Sequence, residues 1–130
     1  MMHVAGPFNS GAAVGNNGVA TANADSPQRL TGRVVGIYVK YNDSPPAGTT
    51  DVVIKTKGTS PAAPSYNLLS LTDQATDGWR YPQAQIHTVA GVAIDGEYTP
   101  LLVDDYINVK IDQANAGDNV DVWLMLEKFA

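Results

Sequence analysis

From Leu30 onward, apolar and polar positions alternate with a period of two. Val35, Ile37, Val39 and Tyr41 alternate with Val34, Gly36, Tyr38 and Lys40, the pattern of a strand with one buried face. Residues 51–57 repeat it, with Val52 and Ile54 on one face and Val53 and Lys55 on the other. Ile107, Val109 and Ile111 alternate with Tyr106, Asn108 and Lys110. After a loop at 114–118, Val120, Val122, Leu124 and Leu126 alternate with Asp121, Trp123, Met125 and Glu127. Residues 68–71, 85–90 and 97–103 read as further strands, the last two separated by the turn signal Asp95-Gly96. Pro and Gly mark loops at 42–48 and 58–64. Nowhere do apolar residues recur at helical spacing for three turns, so helix should make up less than about a tenth of the chain, against a typical ~30–35%. Seven or eight short strands predict an all-β fold, a single antiparallel sandwich. A jelly roll is the first choice and an immunoglobulin-like sandwich the second. Its core should contain Val35, Ile37 and Val39 with the inward residues of the last two strands.

Residues 1–24 contain no Asp, Glu, Lys or Arg. They are mostly small residues and turn formers, with too few large side chains to repay the entropy of ordering. The expected organisation is therefore a flexible N-terminal arm at 1–29, followed by a sandwich body at 30–130. Disordered tails are ordinarily charged, and this segment is not. Its neutrality favours an extended arm that orders on a partner, with Phe8, Val14 and Val19 as apolar anchors and glycines permitting close backbone contact.

Composition narrows the function. At 130 residues the chain has the length of one domain. It has no Cys, which removes disulfide frameworks, Cys-ligated metals and thiol nucleophiles. The net charge of −5 argues against nucleic acid as a partner, since such binders present a basic stripe. No apolar run approaches the ~20 residues of a membrane span, and no charged-then-apolar leader opens the chain.

Candidate chemistry is sparse. His3 lies in the arm and His87 on a strand, without the spacing of a helical zinc motif. There is no G-x-S-x-G elbow and no phosphate loop. Residues 73–78 (D-Q-A-T-D-G) lack the calcium-loop pattern. Most Asp residues sit in turns, where backbone hydrogen bonding explains them. No cofactor or metal is expected, and a small hydrolase built on Glu97 or Asp104 is the weakest of the readings.

Two constellations stand out. Trp79-Arg80-Tyr81-Pro82 either anchors a loop on the sandwich edge, with Arg80 stacked on a ring, or forms a sugar-stacking platform through Trp79 and Tyr81. On the final strand, Trp123 and Met125 face away from the inward set. These residue types are enriched at interface cores, so they mark a subunit interface unless the same chain covers them.

The tail Tyr106-Ile107-Asn108-Val109-Lys110-Ile111, with Gly117-Asp118-Asn119-Val120-Asp121-Val122-Trp123-Leu124, resembles the closing hairpin of the small jelly-roll decoration (cement) proteins of tailed-bacteriophage capsids. The layout of a low-complexity N-terminal segment and one compact β body is similar too. The resemblance implies a non-enzymatic virion structural protein, made in the host cytoplasm and placed on the outer surface of the capsid. There it would bind major capsid protein as a homotrimer and stabilise the shell. The alternative is a carbohydrate-binding β-sandwich module, such as a head-fibre or tail adhesion protein.

Overall fold

The computed structural model describes residues 1–42, 46–59 and 64–128; parts of the two expected loops, at 43–45 and 60–63, lie outside the described residues. Among the described residues there are ten strands and no helix: β1 (Met2–Asn9), β2 (Ala20–Asp25), β3 (Leu30–Tyr41), β4 (Asp51–Thr56), β5 (Asn67–Leu71), β6 (Gly78–Arg80), β7 (Gln83–His87), β8 (Ala93–Asp105), β9 (Ile107–Ala114) and β10 (Val120–Glu127). They form two antiparallel sheets packed as a sandwich. The first runs β1-β10-β3-β8-β7, with β6 also paired to β3, and the second runs β2-β9-β4-β5. The chain passes repeatedly from one sheet to the other, an order compatible with a jelly roll.

Alternation accounts for the core. Val52 and Ile54 of β4, Ile107, Val109 and Ile111 of β9, and Val120, Val122, Leu124 and Leu126 of β10 are all at most 1% exposed. Burying a side chain of this size contributes about 1.5–3 kcal/mol, which is what fixes the register of each strand.

Three expectations are corrected. The first is the arm. β1 pairs with β10 from Met2↔Glu127 to Asn9↔Asp121, and β2 pairs with β9 from Ala20↔Ala114 to Asp25↔Asn108. Residues 2–25 thus supply an edge strand to each sheet, and the boundary at residue 30 falls inside the sandwich. These strands solve the pairing requirement of β9 and β10, whose backbone groups would otherwise lack partners. The second correction is Val35, which is only half-buried, whereas Val34 is 1% exposed. A bulge opposite Met125 and Leu126 makes Gly36 and Val34 the successive partners, leaving Val35 over. Inward positions therefore change parity along β3, from Leu30, Gly32 and Val34 to Ile37, Val39 and Tyr41. The third concerns Asp95-Gly96, which lies inside β8. The β7–β8 turn is at 88–92, closed by Thr88 N donating to Val92 O at 2.8 Å. Gly96, at φ +78°, sits in a bulge where residues 94–97 oppose Ile86. No residue from 83 to 100 is buried, so this hairpin projects beyond the packed part of the sandwich.

Candidate functional site

The outer face of the first sheet carries four rungs. Successive outward residues of β10 align with neighbours as Asn9–Asp121–Lys40, Trp123–Tyr38–Trp79, Val4–Met125–Gly36 and Met2–Glu127–Arg33–Leu102, where Trp123, Met125 and Glu127 are the β10 members of the last three. The inner face of this sheet already holds the core, so the two central rungs are apolar without an intramolecular need. Tyr38 meets Trp79 edge-on at 5.4 Å between ring centroids and Trp123 edge-on at 5.7 Å. Tyr81 stacks along Trp79 at 6.4 Å with the planes 13° apart. Gly36 makes this stack possible: a Cβ there would lie 3.1 Å from Tyr81 ring carbons and 3.3 Å from Trp79. Val4, Tyr38, Trp79 and Trp123 enclose an open depression of about 300 Å³. Val4 is 53% exposed, Trp79 39% and Tyr81 65%.

Polar groups border the row on both sides. Arg33 pairs with Glu127 at 2.9 Å. On the other side Asn9 Nδ2 and Asn42 Nδ2 each donate to Asn119 Oδ1, at 2.8 and 2.9 Å, and to Asp121, at 2.9 and 2.8 Å. An apolar centre inside a polar rim is the anatomy of a recognition surface.

The structure joins the two constellations that the sequence kept apart. Trp79 and Tyr81 come against the same strand, β3, as Trp123 and Met125, and Tyr38 bridges them. Tyr38 and Val4 were not singled out, although Tyr38 occupies an outward position in the alternation. Arg80 turns away from the rings. Its guanidinium donates to Thr76 O at 2.8 Å, Gly78 O at 3.0 Å and Gln74 Oε1 at 3.3 Å, which ties down the preceding loop. Of the three expected arm anchors, Phe8 packs against the core and is not an outward anchor. Val14 and Val19 remain 77% and 67% exposed.

The remaining polar clusters have structural partners. Asp104 receives Arg29 Nε at 3.3 Å and Thr31 Oγ1 at 3.1 Å; Glu97 is exposed on the projecting hairpin. In the 73–78 segment, Asp77 accepts the Tyr41 N–H at 2.8 Å. Among the described residues no group of three His, Asp or Glu side chains is placed to hold a metal. Asp25 lies below the usual carboxylate range because Lys57 bonds to it, at 2.6 Å, and Asn108 donates to it at 2.9 Å.

Among the described residues two carboxylates are buried, Asp118 at 7% and Asp105 at 3% exposed; Asp105 is the more deeply buried of the two. Burial raises its pKa, but hydrogen bonds from the Thr59 hydroxyl and from the N–H groups of Gly58, Tyr106 and Thr59 outweigh it and hold the group low. The Gly58 and Tyr106 N–H groups each lie 2.7 Å away. A depressed folded pKa means stability that is present above the unfolded value and lost as pH falls through the folded one. Asp105→Asn should therefore cost about 1–3 kcal/mol at pH 7. It should also flatten the loss of stability that the wild type shows below about pH 4. Urea unfolding across pH measures both, and identical pH profiles would contradict this role.

Comparison with family models, with curated proteins and with solved structures finds no match to this chain.

Proposed function

We propose that the chain is a non-enzymatic virion structural protein that decorates a phage capsid from outside, binding the major capsid protein as a homotrimer. The observation that carries the reading is the aromatic row itself: Tyr38, Trp79 and Trp123, flanked by Val4 and Met125, lie on a sheet face that no strand layer among the described residues covers. Val4, Trp79 and Tyr81 are exposed, and Tyr38, Trp123 and Met125 beside them are half-buried; a contiguous apolar patch of this kind marks a binding surface. The β9 and β10 segments, whose sequence resembles the closing hairpin of decoration proteins, lie in opposite sheets and do not pair with each other; β10 contributes Trp123 and Met125 to this row. Three copies held together would present three sets of contacts to a lattice, so weak individual contacts add through effective concentration. Preferential binding to the assembled shell would then stabilise it. Val14 and Val19, exposed between β1 and β2, offer a second contact point.

Sedimentation velocity tests the assembly. The purified chain should run as three times its 13.7 kDa mass. Trp123→Asp, which places a charge in the interface but leaves the inward side of β10 untouched, should give monomers with an unchanged β spectrum. An unfolded Trp123→Asp variant would assign Trp123 to the monomer's own core.

A second reading is favoured by the exposed, near-parallel Trp79 and Tyr81 rings, whose open faces can take a stacked sugar ring. A carbohydrate module would be retarded on polysaccharide affinity gels, and Trp79→Ala would abolish the retardation. Retardation of wild type with no binding to capsids would replace the decoration reading.

A further inference from the structure

The inner face of β1 is not closed off as the inner face of β10 is. Val122, Leu124 and Leu126 are at most 1% exposed, yet their cross-strand neighbours Phe8, Ala5 and His3 are only half-buried. Between these residues and the connection leading from β2 to β3 lies a cleft of about 700 Å³, within the range of about 300–1,000 Å³ usual for ligand sites. Its apolar lining comes from Ala5, Phe8, Leu30 and Leu126, and its polar lining includes His3, Arg29 and Lys128. Among the described residues no Asp or Glu lines it, although acidic residues outnumber basic ones 13 to 8 in the chain. Arg29 is held by Asp104. Lys128 has no ion pair among the described residues, and His3 Nδ1 has no hydrogen-bond partner there. β1 is also an edge strand, so part of its backbone faces no neighbouring strand. The register shift between Ala5 and Phe8 confines regular pairing at that edge to a short stretch.

We propose that this cleft binds a short extended segment of a partner polypeptide that presents an apolar side chain followed by a carboxylate. The apolar side chain re-buries the half-open surface of Ala5, Phe8 and Leu126. The carboxylate answers the Lys128 ammonium, and the acidic side chain at the border, Asp104, is already paired with Arg29. The segment's backbone adds to the free edge of β1, where main-chain hydrogen bonds supply affinity and the pocket supplies selectivity. A metal ion finds no carboxylate here, and inorganic phosphate would leave the apolar lining unused. The site lies on the inner side of β1, opposite the outer aromatic row, and does not depend on the decoration reading.

Titration of the full ¹⁵N-labelled chain with acetyl-Leu-Val-Leu, as free acid and as C-terminal amide, tests the proposal. Saturable amide shifts are expected at Ala5, Phe8, Leu30 and Leu126. The acid should bind about two- to five-fold more tightly than the amide, the advantage of one exposed charge pair. Lys128→Glu, an exposed substitution, should remove that preference while keeping the spectrum folded. No saturable shift at these residues, or shifts centred on Trp79 and Trp123, would overturn the site. Equal binding of acid and amide by the wild type would overturn the carboxylate assignment.

Discussion

Removal of residues 1–24 is expected to abolish cooperative folding. The truncation takes away β1 and nearly all of β2, turning β10 and β9 from interior strands into edges. It also removes buried Ala13 and Ala20, together with Ala5, Phe8 and Ala22, which pack against the core. Ser10, fully buried, both donates its N–H to Val120 O at 3.0 Å and accepts the Val120 N–H on its hydroxyl at 3.1 Å. Each such hydrogen bond contributes about 0.5–1.5 kcal/mol net, and domain stability is only about 5–15 kcal/mol in all. Losing two edge strands exceeds that margin. Thermal denaturation followed by circular dichroism should show no cooperative transition for residues 25–130. A transition within a few degrees of the full chain would return the segment to the status of a tail.

Leu124→Ala is expected to cost about 2–5 kcal/mol, the loss of burial plus the cavity left behind. Leu124 is fully buried, between Ala5 on β1 and Ile37 on β3. Val35→Ala provides the contrast, because the bulge leaves Val35 half-buried with no β10 residue opposite it. That change should cost less than about 1 kcal/mol, as surface substitutions generally do. Urea unfolding of the two variants measures the difference. Equal costs would mean that the parity change along β3 is misplaced.

Strands whose alternation uses Val, Ile and Leu were legible in the sequence: β3, β4, β9 and β10 lie where the pattern puts them. β2 alternates too, Ala20, Ala22 and Ala24 against Thr21, Asn23 and Asp25, with the alanines toward the core. Alanine against small polar residues gives little hydrophobic contrast, so that period was hidden. What orders β1 and β2 is the unpaired backbone of β10 and β9, which is a tertiary demand with no local signal. The bulge at Val35 was hidden for a related reason, because Val34 and Val35 are equally apolar and only the partner strand decides which turns inward. The candidate site was half legible. Trp79, Tyr81, Trp123 and Met125 stood out by residue type, but their meeting depends on β3 pairing with both β6 and β10. Tyr38, at the junction, looked like any outward residue.

The central proposal is that this protein binds a capsid from outside as a homotrimer held together through its outer aromatic face, so that breaking the trimer removes the multivalent attachment. Co-sedimentation of the chain with undecorated phage heads tests it most directly, with Trp79→Ala/Trp123→Asp as the paired variant. The account predicts saturable binding of the wild type, a higher disruption temperature for the decorated heads, and loss of both in the folded variant. Absence of wild-type binding, or undiminished binding by a folded variant, would contradict it.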